Sequence, residues 1–472
     1  MSFFKNSLWS FASTAGIQFI GVITNIVLAR LLYPEIFGVL GMAMVFAGAV
    51  VIAQEAGISS YIIYKSPLTK ILISTSFWLN VSFAVVLFAI LFASAGVIGS
   101  FYQETQVITV IRYIAIGSLL GGFFITARAL YMREKNFKKI AVIDLSCEIV
   151  ASVSAVILAL TGYHLLAISA RYVIRPTLQS VVYLVLRGKD VIGKFDWNAM
   201  KEIVPYSGNV LGSQSIAYIN NNIDYLFVGR VFGSYTLGLY TLAWQWGSLV
   251  RFYIAGAIGK VAFAELSSLN NDLTVLKEKY LDITQRLAFI ALPICFGISA
   301  VADPFILLFY GSEWVKSGLL LKILVLSGGI SAIGSVGGQI FRAIGRPKIE
   351  LLVSTITLVF AVVLFYIATR FSIIYVAFAE VIKIVILEIT KFICIRKNIQ
   401  VKWIELALVL YKSLLASLVM YGVVKMAQLL VDHVYITFGV SILIGLITYG
   451  LVSYAINKQM FLWAFSKVRK RK

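Results

Sequence analysis

Long apolar runs of bilayer length, parted by short charged knots, dominate the 472-residue sequence. A helix needs roughly 17 to 25 mostly apolar residues to cross a bilayer. In lipid each backbone polar group must be satisfied within its own segment, so repeated runs of this length admit a helical bundle and little else. Fourteen spans fit that template, at 8–29, 38–60, 74–98, 108–131, 140–161, 165–186, 204–228, 237–262, 284–308, 319–341, 349–369, 372–395, 406–430 and 434–456. The expected fold is all-α: a polytopic membrane protein of about 14 transmembrane helices. Composition agrees, with 60% apolar and 13% charged residues, the latter about half the share in soluble domains. An ordinary soluble enzyme, a disordered tail protein and a disulfide-stapled secreted domain are excluded on these grounds. Cys147, Cys295 and Cys394 fall inside apolar spans with no CxxC spacing, so neither a disulfide framework nor a zinc site is indicated. His164 and His433 stand in short connections, away from any intramembrane metal or proton site.

The net charge is +20, from 41 Lys and Arg against 21 Asp and Glu. A balance this basic can mean nucleic acid. Here the basic residues lie between apolar spans, which is the positive-inside pattern, and no nucleic-acid partner is expected. One set of connections carries Lys65 and Lys70, then Arg128 to Lys139, Arg187 to Lys201, Lys277 and Lys279, Arg342 to Lys348, and Arg396 to Lys402. The alternate set holds little beyond Arg30, Arg230, Lys316 and Arg370. Both termini are therefore expected in the cytoplasm, in agreement with an even number of spans. The longest connections, 187–203 and 263–283, are shorter than the roughly 40 residues an independent domain needs. No attached ATPase is expected, and no GxxxxGK[ST] phosphate loop occurs.

The chain repeats itself. Ala29-Arg30-Leu31-Leu32 with Gly38 and Ala43 returns 200 positions later as Gly229-Arg230-Val231-Phe232 with Gly238 and Ala243. Phe101-Tyr102 after the third span matches Phe309-Tyr310 after the ninth, and Arg128-Ala129 matches Arg342-Ala343. Six helices per unit is an even number, so the repeats are parallel. The expected organisation is an N-terminal lobe at 1–186, a cytoplasmic linker at 187–203, a C-terminal lobe at 204–397, and two extra helices with a basic tail at 398–472. Two pseudo-symmetric six-helix lobes around a cleft imply alternating access to a substrate between them.

Polar residues within spans mark candidate sites, since lipid exposure of such groups is costly. The seventh span carries Asn209, Ser213, Gln214, Tyr218, Asn220, Asn221, Asn222 and Asp224, with Asn209, Ser213, Asn220 and Asp224 near one face. The first span carries Ser10, Thr14, Gln18 and Asn25 at similar spacing. Matched stripes on repeat-related spans point to a wet cavity; interhelical hydrogen bonding is the competing explanation. Intramembrane charges come next: Glu55, Arg251, the pair Asp144 and Glu148 on one helix face, and Arg171 and Arg175 on another. A structural salt bridge between the fifth and sixth spans accounts for the last four. An electropositive cavity accounts for them too, because guanidinium forks bind phosphate bidentately. Arg251, near mid-span with no carboxylate close in sequence, is a candidate substrate contact, and Asp224 and Glu55 are candidate coupling groups for an ion or proton. Glu380, Lys383, Glu388 and Lys391 pair at i,i+3 on the twelfth span and read as self-compensating.

Trp9, the run Leu28-Ala29-Arg30-Leu31-Leu32-Tyr33-Pro34 with Phe37-Gly38, and Arg133-Glu134-Lys135-Asn136-Phe137-Lys138 resemble the signatures of Wzx-type oligosaccharide flippases. These belong to the multidrug/oligosaccharidyl-lipid/polysaccharide exporter superfamily. The resemblance implies movement of an undecaprenyl-diphosphate-linked repeat unit from the inner to the outer leaflet of the bacterial cytoplasmic membrane, driven by a proton or sodium gradient. It implies lipid-linked oligosaccharide and membrane lipids as partners, with a polysaccharide polymerase and export machinery beside them, and no cofactor. The substrate seat would draw on Arg251, Arg175, Arg171, Asn209, Gln214, Asn220, Asn221, Gln18 and Asn25. Two other readings compete. A drug exporter of the same superfamily would favour carboxylates for a cationic substrate. A membrane-embedded glycan polymerase or ligase would need a long outer loop.

Overall fold

The computed structural model describes residues 2–56, 58–252, 262–263, 265–269, 272–346, 348–431 and 433–469, less the side chains of residues 2–8, 11, 55–56, 64, 206–214, 216–217 and 465–469. The secondary structure of the described residues is all helix, and the contacts divide the chain into two compact units, Met1–Gly238 and Leu239–Lys472. Unit 1 holds α1 (Ser2–Leu31), α2 (Pro34–Ala56), α3 (Ile58–Tyr64), α4 (Lys70–Tyr102), α5 (Thr105–Gly121), α6 (Ile125–Arg133), α7 (Phe137–Leu160), α8 (His164–Val191) and most of α9 (Trp197–Val250). Unit 2 holds α10 (Leu273–Phe309), α11 (Lys316–Ala343), α12 (Lys348–Ala368), α13 (Ile373–Ile399), α14 (Trp403–Gln428), α15 (Val434–Ile456) and the tail helix α16 (Lys458–Arg469).

Each of the fourteen expected spans lies mainly on one of these helices or, for the second and fourth, on two in succession, α2 with α3 and α5 with α6; residue 57 of the second lies outside the described residues, and the eighth is followed only to residue 252. Several helices overrun their apolar stretches. Only residues 192–196 of the expected 187–203 linker are non-helical, and α10 starts at Leu273, eleven positions before its span. Polar helix ends can project beyond the hydrocarbon because their charges are met by water. Local signals set the boundaries. The Asp272 side chain accepts from the Thr274 and Val275 amides at 2.9 and 3.1 Å and starts α10. Gly233, at φ 77°, breaks α9 between the seventh and eighth spans. Among the described residues nine helices are long and apolar enough to cross a bilayer, and a tenth if α5 and α6, bent by 48°, count as one span. Charged side chains interrupt α8 (Arg171, Arg175) and α13 (Glu380, Lys383, Glu388, Lys391), which fall outside that set.

Burial follows membrane logic. Large apolar side chains such as Val185, Leu430 and Leu446 face outward, while Ser74, Thr75, Ser76, Asn80 and Thr126 are buried. With lipid outside there is little hydrophobic gain from helix contact, so small and polar groups join helices instead. Asn80 Nδ2 donates to Thr126 Oγ1 at 2.8 Å, and Gln54 Nε2 to the Ser118 carbonyl at 3.0 Å. Within unit 1, α7 packs on α1 and α8, and α5 packs on α2, α4 and α8. Within unit 2, α10 packs on α11 and α14, and α13 packs on α11 and α12.

The internal repeat has structural counterparts. In unit 1 the α2 ring of Phe46 meets Tyr102, at the end of α4, edge-on at 6.2 Å. In unit 2 Trp246, 200 positions after Phe46, donates from Nε1 to Tyr310 Oη at 2.7 Å, at the end of α10. The repeat-related turns also pack reciprocally: a Cβ on Gly38 would sit 1.8 Å from the Ser234 carbonyl, and one on Gly238 would sit 1.8 Å from the Pro34 carbonyl. Only glycine permits backbones to approach this closely.

Candidate anion-binding cavity

Unit 1 holds an open-sided cavity of about 580 Å³ between α2, α5, α6, α7, α8 and α9, within the usual range of ligand pockets, roughly 300–1,000 Å³. Its charged lining is Arg128, Arg171 and Arg175 against Asp144 and Glu148, three guanidiniums to two carboxylates. The two carboxylates come from α7, one turn apart. Arg171 and Arg175 come from α8, also one turn apart, so each pair points in one direction.

The pairing is selective. Glu148 Oε1 accepts from Arg171 Nε at 3.1 Å, and Arg175 Nη1 lies 3.0 Å from Glu148 Oε2. Asp144 turns instead to Arg128, whose Nε donates to Oδ2 at 3.0 Å. Gln179 Nε2 and Tyr183 Oη complete its shell, donating to Oδ1 at 2.8 and 3.1 Å. Asp144 and Glu148 are buried, whereas the arginine side chains keep 37%, 20% and 31% exposure for Arg128, Arg171 and Arg175. The carboxylates form the floor and the guanidiniums face the cavity. Arg171 Nη1 also donates to Asn25 Oδ1 at 3.2 Å, which ties α1 to the cluster. Gly117 lets α5 close on α8, since a Cβ there would lie 1.9 Å from the Tyr172 carbonyl.

The expected site residues separate into groups. The cavity brings together Arg171, Arg175, Asp144 and Glu148, with Asn25 hydrogen-bonded at its edge. From α9 it takes Tyr218 and Asn222, one turn apart, rather than Asn220, Asn221 and Asp224. Positions 220 and 224 lie about 200° around the helix from 218 and 222, so one stripe cannot serve both faces. Tyr218 Oη donates to the Met44 carbonyl at 2.7 Å, and Asn222 Nδ2 to the Tyr218 carbonyl at 2.9 Å. Asp224 is fully buried, and Gln18 is exposed on α1. The side chains of Glu55, Asn209, Ser213 and Gln214 lie outside the described residues.

Arg251 belongs to unit 2, in a cavity of only about 10 Å³ shared with Glu380, Ser327 and Ser331. A carboxylate distant in sequence has been brought beside it by α13. Glu380 pairs with Lys383 at 2.5 Å and Glu388 with Lys391 at 2.8 Å. Arg128 was placed by sequence in a charged connection; the bend at Gly121-Gly122 turns α6 and carries it to the cavity. Its signal was present in the repeat itself, as half of the Arg128 and Arg342 match. Among the described residues no group of three or more His, Cys, Asp or Glu side chains could hold a metal ion.

The sequence profile described as "Polysaccharide biosynthesis protein" matches residues 27–319. The teichuronic acid biosynthesis protein TuaB of Bacillus subtilis is 26% identical over 303 residues, which are 63% of this chain and 62% of TuaB. The chain therefore matches less than two thirds of that relative's length. The succinoglycan biosynthesis transport protein ExoT of Rhizobium meliloti is 25% identical over 73% of this chain and 70% of its own. The lipopolysaccharide biosynthesis protein WzxC of Escherichia coli is 22% identical over 72% and 70%. Among solved structures, the lipid II flippase MurJ in an inward closed conformation superposes with a TM-score of 0.79 at 17% identity, covering 96% of this chain and 99% of its own. An inward-facing multidrug resistance MATE transporter gives 0.67 at 15% identity over 83% and 98%. At these identities the structural likeness shows a shared fold alone. The chain is a multi-pass membrane protein, and it belongs to the polysaccharide biosynthesis protein family whose profile it matches over 27–319.

Proposed function

We propose that this protein carries an undecaprenyl-diphosphate-linked oligosaccharide repeat unit from the inner to the outer leaflet of the bacterial cytoplasmic membrane, for export of a surface polysaccharide. The observation that carries the reading is the guanidinium-faced cavity of unit 1. A diphosphate offers several acceptor oxygens to planar forks, and guanidiniums hold it without losing their charge. Arg171 and Arg175 hold the diphosphate, Arg128 and Asn222 reach the first sugar, and the polyprenyl chain stays in lipid. The names of the relatives support the reading, since they tie TuaB, ExoT and WzxC to teichuronic acid, succinoglycan and lipopolysaccharide biosynthesis.

Transport proceeds by alternating access between repeat-related lobes, at 1–186 and 204–397, with no bond made or broken in the substrate. Asp224 is the coupling group for a proton or sodium ion, and Arg251 a second cationic contact. Both termini face the cytoplasm; the excess of basic residues in one set of connections supports this. Lipid-linked oligosaccharide and membrane lipids are the direct partners, with a polymerase and export machinery downstream.

The test is the sidedness of lipid-linked oligosaccharide in a deletion strain, probed with an added glycan-modifying enzyme. Complete repeat units should accumulate on the cytoplasmic face, out of the enzyme's reach. A pool already outside, or no pool, rejects the reading and favours a small-molecule exporter.

A further inference from the structure

We infer that Glu148 is an internal competitor for the anion seat between Arg171 and Arg175, and so sets which anions the cavity admits; this rests on the reading of the cavity as a headgroup site. Both guanidiniums direct nitrogen atoms at one buried carboxylate. Arg171 Nε donates to Oε1 at 3.1 Å, and Arg175 Nη1 stands 3.0 Å from Oε2. A carboxylate with one oxygen on each of two forks occupies the seat a phosphate group would take.

The two floor carboxylates are not held alike. Asp144 accepts from Arg128, Gln179 and Tyr183 and is locked in place. Glu148 is held chiefly by the two guanidiniums themselves: Oε1 accepts from Arg171 Nε and Nη2 at 3.1 and 2.5 Å and has a long 3.4 Å contact from Ser152 Oγ, while Oε2 is buried beside Arg175 Nη1 with no hydrogen bond of good geometry. Arg175 Nε is likewise buried without a hydrogen-bond partner, so the second fork is only half used. The cluster thus has one spare donor, Arg175 Nε, and one acceptor oxygen, Glu148 Oε2, without a well-formed hydrogen bond, both on residues that line a cavity of about 580 Å³.

An incoming anion must displace this carboxylate, and its apparent affinity falls by the fraction of molecules in which Glu148 still holds the seat. A phosphate or diphosphate brings more charge and more acceptor oxygens than Glu148, and it also satisfies Arg175 Nε. A singly charged carboxylate, such as a free uronate, only exchanges like for like and pays the cost of association. Glu148 therefore selects phosphorylated headgroups over carboxylated sugars by exclusion.

The test uses purified full-length protein, titrated calorimetrically with inorganic pyrophosphate and with glucuronate. Wild type is expected to bind glucuronate about tenfold more weakly than pyrophosphate, or not measurably. In Glu148→Gln, pyrophosphate should bind about tenfold more tightly and glucuronate should become measurable, the competitor being neutral. Unchanged or weaker binding of both anions in Glu148→Gln, with Arg171→Gln abolishing pyrophosphate binding, overturns the inference and leaves the headgroup site standing. Pyrophosphate binding that survives both Arg171→Gln and Arg175→Gln, or is absent from every variant, rejects the site and the inference together. Should Glu148→Gln fail to fold, a structure of wild type with pyrophosphate decides: the anion should lie between Arg171 and Arg175 with Glu148 withdrawn, and Glu148 still on both forks overturns the inference.

Discussion

The buried carboxylates of unit 1's cavity find their ion-pair partners on other helices, whereas those of α13 in unit 2 find theirs one turn away on the same helix. In unit 1, Asp144 and Glu148 on α7 meet Arg128 from α6 and Arg171 and Arg175 from α8. In unit 2, Glu380 meets Lys383 and Glu388 meets Lys391, all on α13. An i,i+3 pair neutralises itself wherever the helix goes and demands nothing of its neighbours. Cross-helix pairs hold only if packing delivers both partners. They also leave donors on the open side when guanidiniums outnumber carboxylates. The cavities differ accordingly, about 580 Å³ against about 280 Å³ beside Glu388 and about 10 Å³ beside Glu380. Intramembrane charge alone does not mark a candidate site; an excess of guanidiniums lining a roomy cavity does.

The largest effect should come from deleting the cross-helix cluster as a block. Glu148→Leu with Arg171→Met and Arg175→Met replaces buried ions by apolar groups of similar size, which proteins tolerate with stability equal or higher by about 1–4 kcal/mol. The thermal midpoint should hold while polysaccharide export falls by about 100-fold or more, from loss of contacts worth about 2–5 kcal/mol each. Export at the wild-type level would place unit 1's charges with unit 2's as scaffold.

Next are the reciprocal glycines. Gly38→Val and Gly238→Val each force a side chain onto a carbonyl 1.8 Å from the new Cβ, an overpacking cost of about 1–3 kcal/mol. Both should cut export by about tenfold, and by similar factors, because the contact is reciprocal. A loss confined to one of them would mean the turns are not equivalent. Accessibility sharpens the comparison further. In a background of Cys147→Ser, Cys295→Ala and Cys394→Ala, Asn222→Cys should react with a membrane-impermeant thiol reagent about tenfold faster than Ser331→Cys, because only the former lines a cavity with room for more than a single water. Equal rates would remove the contrast.

One device is common to both units and predicts a smaller effect. Lys65 holds Glu202, and Lys277 holds Glu405 at 2.6 Å, each bridging separate segments near helix ends. A hydrogen bond from Lys65, then one from Tyr61, keeps the Glu202 carboxyl below its usual range. Lys277, then the Lys402 backbone, does the same for Glu405. A depressed folded value means the stabilisation is present above the unfolded value and is lost as pH falls through the folded one. Glu202→Gln should lower the thermal midpoint slightly at pH 7 and leave it equal to wild type once pH is well below about 4. A difference that grows in acid contradicts the pairing. Least of all should change in Glu388→Leu with Lys391→Met, where export is expected to stay within about twofold. A collapse of export there would show that a self-paired couple can serve transport.

What could be read from the sequence was whatever depends on local pattern. Span length follows from bilayer thickness, and the described residues of each expected span lie mainly on one helix or two successive helices, with the eighth followed to residue 252. The repeat was legible because matched residues recur at helix ends, and Phe46 and Trp246, 200 positions apart, each contact a tyrosine at such an end, Tyr102 and Tyr310. The i,i+3 pairs of α13 were legible for the same reason, since three residues on a helix fix a distance. Tertiary structure alone decided which charges meet. Arg128 reaches Asp144 because a Gly-Gly bend redirects α6, and Arg251 comes to line one small cavity with Glu380, more than 100 positions away. It also chose which face of α9 lines the cavity, taking Tyr218 and Asn222 over Asn220 and Asp224. Periodicity names a polar face but not the neighbour it turns toward; that rotation is settled by packing against other helices, and no single segment encodes it.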